Sequence, residues 1–317
     1  MIHPRNFLAV SLALGTIAFP AWLTSAQPTM TNAWLQIAPT NPGVLLTIND
    51  PSTNGSGIHD LFASSDLEVP DSWYWLTRCA VGQTTFQVTN GSPDQEFFLV
   101  GITNAIRDGF TNQSLPAEDD NPSYQTDLPV TINFFGSQYS NAWVNENGNI
   151  TFDSAWGNYI TGPLSNVGMN IIAPYWADVD SRNSASSVVT YGTNVVDGRI
   201  AFGVDWVNVG YFSAYADRLL SCQLVIIDRS DIAAGDFDME FNYFKIQWEW
   251  GDASVGFPPR AGFYGGGTDY ELPGSGVEGA FMDTNAVTGL VYHSFNSTVP
   301  GRYLFYFRDG NPLTPLP

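Results

Sequence analysis

The sequence predicts an all-β fold: a small N-terminal β-sandwich followed by a larger, β-sandwich-like domain. Short apolar runs rich in β-branched and aromatic residues alternate with clusters of Gly, Pro and Asn, a pattern typical of antiparallel strands and their turns. Asn147-Gly148 and Asp197-Gly198 lie between such runs and are strong hairpin signals. No helical periodicity persists beyond about two turns. The length of 317 residues suggests two domains, at roughly 100–200 residues each.

Residues 1–26 have the pattern of a secretory signal peptide. An arginine near the start precedes an apolar run from Phe7 to Leu23, and small residues suited to cleavage follow. The run is broken by Pro20 and is short for a membrane span, which needs about 20 apolar residues. We therefore expect a secreted protein, extracellular or at the cell surface, that begins near Gln27 and has no transmembrane segment.

Charge and cysteine content restrict the partners and cofactors. The formal net charge is -20, which argues against nucleic acid as a partner, because phosphate contacts need clustered Lys and Arg. The excess of carboxylates suits either a soluble acidic surface or Ca²⁺, which prefers oxygen ligands. Cys79 and Cys222 are the only cysteines. They fall in different predicted domains, so the sequence leaves open whether they form a disulfide or are two separate buried thiols.

The strand pattern places the domain boundaries. Residues 27–110 contain short runs such as Leu45 to Ile48 and are predicted to form the small sandwich. Residues 111–127 are polar and contain two prolines, so they are predicted to form a linker or long surface loop. The strand pattern then resumes and continues to about residue 308, which leaves 309–317 as a C-terminal tail.

The segment IIAPYWADVD, from Ile171 to Asp180, combines a buried-strand pattern with two carboxylates. Pro174 lacks an amide hydrogen, so we expect the strand to end there or to lie at a sheet edge. If the segment stays extended, Asp178 and Asp180 project to the same side.

Asp178 and Asp180 have two interpretations. They could bind Ca²⁺, with Asp119, Asp120 or backbone carbonyls completing the six to eight oxygen ligands that this ion takes. They could instead accept hydrogen bonds from backbone amides in the turn after Pro174. Ca²⁺ is the one cofactor that the sequence suggests.

A second acidic segment offers an enzymatic alternative. On a strand, Asp236, Asp238 and Glu240 share one face, while the intervening Phe and Met side chains share the other. Lichenases and laminarinases carry a similar acidic strand, so the alternative function is a retaining β-glucan hydrolase. Asp236 is shorter than the glutamate that those enzymes use as nucleophile. A polar face on a half-buried strand explains the same pattern without catalysis.

Other chemical motifs are scarce. His59 and His293 are the only histidines after residue 26, and the sequence contains neither HExxH nor GxSxG. No catalytic and no cofactor-binding residues are therefore predicted. Trp248 and Trp250 alternate along the chain and could either stack on a sugar or fill the core.

An ordered set of motifs resembles the nidogen-type extracellular domain, or NIDO domain, over residues 117–308. The motifs are AEDD, INFFGSQYSNAWVNENGNITFD, IIAPYWADVDSR, FNYFKIQWEWGD, RAGFYGGGTDYELPGS and GRYLFYF. The resemblance implies an extracellular β-rich module, found in matrix and adhesion proteins such as nidogens, tectorins and some mucins, without catalytic activity. No Cys-rich repeats accompany it here, which favours a secreted bacterial-type protein.

The resulting functional prediction is a secreted, non-catalytic binding or adhesion protein. The resemblance implies cell–matrix or surface adhesion, with extracellular matrix, a glycan or a surface protein as the partner. The β-glucan hydrolase remains the alternative. The sequence does not indicate the oligomeric state.

Overall fold

The computed structural model describes residues 33–40, 43–50, 59–65, 74–89, 97–101, 103–120 and 124–317. The predicted signal peptide lies outside the described residues. Within them, the only helical elements are two 3₁₀ helices, Leu164–Val167 and Leu290–Tyr292. No described helix is long and apolar enough to cross a membrane. The predicted all-β fold is confirmed, and the chain divides into two compact units, residues 1–104 and 105–317.

Unit 1, residues 1–104, contains two small antiparallel sheets in its described part. The strands are β1 (Trp34–Pro39), β2 (Val44–Asn49), β3 (Asp60–Ser64), β4 (Tyr74–Arg78), β5 (Thr85–Val88) and β6 (Phe97–Gly101). The sheet orders are β1-β2-β5 and β4-β3-β6. Val44, Leu46 and Ile48 alternate along β2 and are buried with Leu61 of β3 and with Cys79. The two sheets therefore share one apolar core, as in a sandwich.

Unit 2, residues 105–317, contains a seven-stranded and a six-stranded sheet. Its strands are β7 (Gln113–Ser114), β8 (Tyr124–Phe134), β9 (Ser137–Asn145), β10 (Asn149–Thr151), β11 (Ile171–Trp176), β12 (Thr190–Val196), β13 (Arg199–Tyr211), β14 (Tyr215–Asp228), β15 (Phe237–Ile246), β16 (Arg260–Gly265), β17 (Thr268–Glu271), β18 (Arg302–Arg308) and β19 (Asn311–Pro312). The sheet orders are β17-β16-β11-β10-β9-β8 and β19-β18-β15-β14-β13-β12-β7.

Aromatic side chains fill the space between the two sheets of unit 2. The rings of Phe134 and Phe307, from opposite sheets, lie 5.5 Å apart, and those of Phe263 and Phe305 are also 5.5 Å apart. All four side chains are buried. Such ring pairs stabilise a core beyond the area that they bury. Unit 2 is therefore a β-sandwich with an aromatic core.

Residues 105–120 belong to unit 2, which corrects the predicted linker at 111–127. β7 pairs with the edge strand β12, and Phe110 is fully buried in an apolar cluster with Val225 and Ile227. The sequence of this segment is polar, as in a linker, because β7 joins the sheet through backbone hydrogen bonds and both of its side chains are exposed. The predicted C-terminal tail, residues 309–317, likewise contains β19, which pairs with β18.

Pro174 lies inside β11, which pairs with β10 on one side and β16 on the other. This differs from the expectation of a strand end or an edge. The register with β16 shifts between Ala173 and Trp176. This shift in register includes Pro174, which has no amide hydrogen to donate to a neighbouring strand. The interrupted pairing allows an interior strand to contain a proline.

Cys79 and Cys222 are free, buried thiols in separate units. Burial raises the pKa of the Cys79 thiol to about 12. Both residues therefore act as small buried hydrophobic groups rather than as a disulfide.

A row of four hydrogen-bonded polar side chains crosses the outer face of the seven-stranded sheet. Asp205, Gln223, Asn242 and Arg302 are direct cross-strand neighbours on β13, β14, β15 and β18. Gln223 donates to Asp205 at 2.7 Å, Asn242 donates to Gln223 at 2.9 Å, and Arg302 donates to Asn242 at 3.0 Å. All four are buried. We call this row the polar ladder.

The chain entering unit 2 covers the polar ladder. Arg302 Nη2 donates to the carbonyl of Ala105 at 2.7 Å. The backbone amide of Arg107 donates to Gln223 Oε1 at 3.0 Å, and Gln223 Nε2 donates to the Arg107 carbonyl at 2.7 Å. Buried polar groups are tolerated when every group has a partner, and here the entering segment supplies those partners.

Replacing Asp205 by asparagine should stabilise the protein at alkaline pH. Burial raises the pKa of Asp205 to about 7, although hydrogen bonds from Gln223 and Thr190 partly offset this. A carboxyl whose pKa is raised by folding loses stabilising effect as the pH rises from its unfolded value, about 3.9, through the folded one. An asparagine side chain at this position would accept the same bond from Gln223 without a buried charge. We expect the variant to gain about 1–3 kcal/mol at pH 8 and only about a quarter of that at pH 4.5.

Urea unfolding at the two pH values measures this difference. Asp269→Asn, at an exposed position, is the matched control and should change the free energy of unfolding by no more than about 0.5 kcal/mol at either pH. A pH-independent effect of Asp205→Asn would contradict the prediction.

Candidate metal centre

Three carboxylates from two segments of unit 2 that are distant in sequence lie close together in the structure. Asp119 and Asp120 precede β8, and Asp178 follows β11 by two residues. One oxygen from each lies within 4.8 Å of the others. We call these residues the aspartate cluster. Its donor atoms are all carboxylate oxygens, which are the ligands of hard cations such as Ca²⁺ and Mg²⁺.

Asp178 is the most deeply buried member of the aspartate cluster. Its side chain is only 1% exposed. Oδ2 accepts a hydrogen bond from Ser254 at 2.6 Å. Oδ1 is buried without a hydrogen-bond partner among the described residues, and so is Oδ1 of Asp119. An unpartnered buried carboxylate oxygen is costly and calls for a specific explanation, such as an ion.

Burial and repulsion between nearby carboxylates raise the pKa values of all three carboxyl groups in the aspartate cluster. Burial raises the pKa of Asp119 to about 6, with contributions from Asp120 and Asp180. Burial and the charges of Asp120 and Asp119 likewise raise the pKa of Asp178 to about 6. The pKa of Asp120 is also raised, chiefly by burial. Like charges this close repel one another, and a cation would relieve that repulsion.

Asp180, the second carboxylate of the predicted metal-binding pair, is not a member of the aspartate cluster. Arg182 donates to both Asp180 oxygens, at 2.9 and 2.5 Å, and the Ala214 amide donates at 2.6 Å. Burial alone would raise the pKa of Asp180, but these bonds outweigh it and lower the pKa. Asp178 and Asp180 therefore have different partners, Ser254 for the first and Arg182 with Ala214 for the second. Both follow the end of β11 at Trp176, where the alternation of a regular strand need not continue.

Glu146 lies beside the aspartate cluster and was not predicted from the sequence. It is 2% exposed, and Ser181 Oγ donates to its Oε1 at 2.5 Å. Its Oε2 is buried without a hydrogen-bond partner in the described part of the chain. Burial raises its pKa to about 8, with smaller contributions from Asp180 and Asp119. The available signal was its position directly before the Asn147-Gly148 turn.

Asn147 joins the segments that carry the aspartate cluster. Its Nδ2 donates to Asp120 Oδ1 at 2.6 Å, and its Oδ1 accepts the Val179 amide at 2.9 Å. Asn147 is fully buried. One side chain thus fixes the spacing between the segment of Asp120 and that of Asp178.

The family described as NIDO related matches this chain over residues 102–275. This range covers more than half of the chain and includes the whole aspartate cluster. The chain belongs to the NIDO-related family. The predicted resemblance to the NIDO domain is confirmed.

Known proteins that resemble this chain include nidogen and alpha-tectorin. It is 30% identical to Drosophila melanogaster nidogen over 207 residues, which are 56% of this chain and 14% of that protein. It is 26% identical to mouse alpha-tectorin over 232 residues and to human alpha-tectorin over 237 residues, each covering 63% of this chain and 10% of the relative. The chain thus corresponds to a small part of these animal proteins, and they give no support to a bacterial-type protein.

No solved structure gives a significant match to the NIDO-related chain.

The carboxylates of the predicted acidic strand, now β15 of the NIDO-related domain, form ion pairs with arginines. Phe237, Met239 and Phe241 point into the core, as predicted. The acidic side chains on the other face are buried rather than solvated. Arg229 and Arg308 bond Asp238 at 2.8 and 2.6 Å.

Glu240 is held between two arginines. Arg107 bonds both of its oxygens, at 2.7 and 2.8 Å, and Arg302 lies 3.6 Å away. Burial alone would raise the pKa of Glu240, but the bonds from Arg107 and the charge of Arg302 outweigh it and lower the pKa. A general acid in a glycosidase needs a raised pKa. This strand therefore has the properties of a structural ion-pair row.

An aromatic face lies close to the aspartate cluster, on the hairpin of β13 and β14 and the loop after β15. We define it by Tyr211, Tyr215, Arg218, Trp250 and Val255, which line adjoining depressions. The Tyr211 and Tyr215 rings lie 5.3 Å apart, and the Arg218 guanidinium lies 4.8 Å from the centre of the Tyr211 ring. Tyr215 is 42% and Val255 63% exposed.

The predicted tryptophan pair is divided between the core and the aromatic face. Trp248 is fully buried and stacks on Tyr211 at 5.4 Å. Trp250 is only partly buried. The alternation expected for a continuing strand fails because β15 ends at Ile246.

Proposed function

We propose that this protein is a secreted, non-catalytic adhesion module that binds extracellular matrix through its NIDO-related domain. Membership of the NIDO-related family is the observation that carries the proposal. The relatives named nidogen and alpha-tectorin, together with the matrix and adhesion context of NIDO domains, support a matrix partner. The net charge of -20 favours partners with neutral or basic surfaces.

The aromatic face is the surface best suited to this binding. Aromatic and arginine side chains dominate the energetics of protein interfaces because they bury large areas with few rotatable bonds. Tyr215 and Val255 are exposed around a buried Tyr211, and Arg218 lies beside them. This combination of exposed apolar area and nearby charge is typical of a binding patch rather than of scattered surface residues.

The tagged 317-residue chain should be retained on matrix deposited by cultured animal cells. The Tyr215→Ala/Trp250→Ala variant should lose retention by about tenfold or more, as expected when interface hot spots are truncated. A solid-phase assay with washing at physiological salt measures the bound fraction.

Val195→Ala/Ile200→Ala is the matched control. These residues are 61% and 46% exposed, on the hairpin of β12 and β13, and do not belong to the aromatic face. The control should bind like the parent chain. Retention of the parent no greater than that of serum albumin would disprove matrix adhesion. Equal losses in both variants would disprove the assignment to the aromatic face.

The alternative of a β-glucan hydrolase has less support. Asp238 and Glu240 are each bonded by arginines, and Asp236 accepts the Asp309 amide at 3.0 Å. A nucleophile and a proton donor both need access to the substrate. We therefore propose that these carboxylates stabilise the sheet.

A further inference from the structure

We propose that the aspartate cluster, Asp119, Asp120 and Asp178, binds one Ca²⁺ ion, with Glu146 as an adjoining carboxylate. The inference goes beyond matrix binding, because the site would stabilise the fold whether or not a partner is present. It rests on unsatisfied buried oxygen atoms and not on the clustering of acidic residues alone.

The unpartnered oxygens are the first line of support. Asp178 is 1% exposed, and its Oδ1 has no hydrogen-bond partner within the described residues. The same holds for Oε2 of Glu146, which is 2% exposed. Protein interiors seldom leave carboxylate oxygens unpaired. A cation held by the aspartate cluster would satisfy Oδ1 of Asp178.

The local charge balance is the second line of support. Arg182 is the one basic side chain within salt-bridge distance of the aspartate cluster in the described part of unit 2. It contacts Asp119 at 2.8 Å and Asp180 at 2.5 Å. Asp119 and Asp180 face each other across an isolated antiparallel β-bridge, and Arg182 pairs with both carboxylates. Asp120 and Asp178 have no such contact with a described basic residue.

The donor atoms define the class of ion. The aspartate cluster offers carboxylate oxygens and includes no histidine or cysteine, which disfavours Zn²⁺ and other softer metals. Mg²⁺ demands a nearly ideal octahedron, whereas Ca²⁺ accepts irregular sets of carboxylates, carbonyls and water. Three carboxylates from two chain segments suit Ca²⁺ better.

A bound ion would join two segments that are distant in sequence, and a third segment is attached to one of its ligands by a hydrogen bond. Asp119 and Asp120 lie before β8, Asp178 lies after β11, and Ser254, which donates to Asp178, lies in the loop after β15. A ligand that binds only the folded state stabilises it increasingly as its concentration rises above the dissociation constant. The proposed ion therefore has a measurable effect on the melting temperature.

Thermal unfolding of the full chain tests the proposal. After removal of divalent ions with EDTA and buffer exchange, addition of CaCl₂ should raise the Tm in a saturable manner. At about 100-fold excess over Kd the rise should be on the order of 5–10 °C. Isothermal titration calorimetry should give one Ca²⁺ per chain.

The Asp120→Asn/Asp178→Asn variant should lose both the Tm rise and the calorimetric signal. Asparagine keeps an acceptor for the bonds from Asn147 and Ser254, and loss of two negative charges should leave the variant at least as stable as the parent in EDTA. Asp205→Asn, a buried carboxyl outside the aspartate cluster, is the matched control and should respond to Ca²⁺ like the parent.

Three outcomes would overturn the proposal. The first is a parent chain whose Tm does not respond to CaCl₂. The second is an equal response in the Asp120→Asn/Asp178→Asn variant. The third is an equal response to MgCl₂ or to NaCl at the same ionic strength, which would indicate screening of charge rather than a Ca²⁺ site. None of these measurements involves matrix, so failure of matrix adhesion and failure of Ca²⁺ binding are distinguishable.

Discussion

Glu240→Gln should destabilise the protein by about 3–5 kcal/mol, which is the usual cost of removing one partner from a buried ion pair. Glutamine preserves the volume of the side chain but removes the charge that faces two arginines. Arg302 is 3% exposed, and burial already lowers its pKa to about 10. Without Glu240 the positive charges of Arg302 and Arg107 would remain together, largely desolvated. The urea midpoint should fall by roughly 1–2 M at an m-value of about 2–3 kcal/mol/M.

Asp231→Asn is the control for this change. Asp231 also accepts bonds from two arginines, Arg199 and Arg229, but it is 49% exposed. Exposed ion pairs contribute little to stability because water screens them. The control should leave the urea midpoint unchanged within error. If the two variants behave alike, burial of the Glu240 ion pair is not what stabilises the sheet.

Gly148→Ala should destabilise the protein by about 3 kcal/mol or more. Gly148 has φ of +74°, and a Cβ built there would lie 1.8 Å from the carbonyl oxygen of Tyr175. A left-handed backbone conformation costs a residue with a Cβ about 1–2 kcal/mol, and the steric clash adds to this. The backbone of β11 would have to move, together with the Asn147 turn that spaces the aspartate cluster.

Gly198→Ala measures the energetic cost of positive φ alone, without a steric clash. Gly198 occupies the equivalent place in the Asp197-Gly198 turn and has φ of +79°, but a Cβ there would meet nothing within 4 Å. This variant should lose only about 1 kcal/mol. Urea unfolding measures both. A loss at Gly148 no larger than that at Gly198 would show that close approach to Tyr175 is unimportant.

Short sequence patterns correctly predicted the side-chain alternation along β15 and the positions of two tight turns. Phe237, Met239 and Phe241 enter the core and their acidic neighbours face outward because strand side chains alternate with period two. The Asn147-Gly148 and Asp197-Gly198 turns follow from the ability of glycine to adopt positive φ. Neither feature requires knowledge of what lies across the sandwich.

Long-range contacts account for what the sequence did not reveal. The strand pattern predicts residues 105–110 as the end of the small sandwich and residues 111–127 as a linker. Pairing of β7 with β12 and burial of Phe110 instead place residues 105–120 in unit 2. The predicted Asp178–Asp180 pair is separated because Arg182 and the Ala214 amide hold Asp180. Glu146 could not be connected with Asp178 because the hairpin turn and β10 and β11 lie between them in the chain.

The polar ladder also determines how the protein would respond to mechanical tension. The carbonyl of Ala105, at the first residue of unit 2, is bonded to Arg302, and two residues later Arg107 forms a forked pair with Glu240. A pulling force transmitted along the chain through Asn104 would reach these bonds before it reached β7. These bonds attach the entering chain to two adjacent interior strands, β15 and β18. A load that reaches residues 105–107 would therefore be shared between two strands of the seven-stranded sheet.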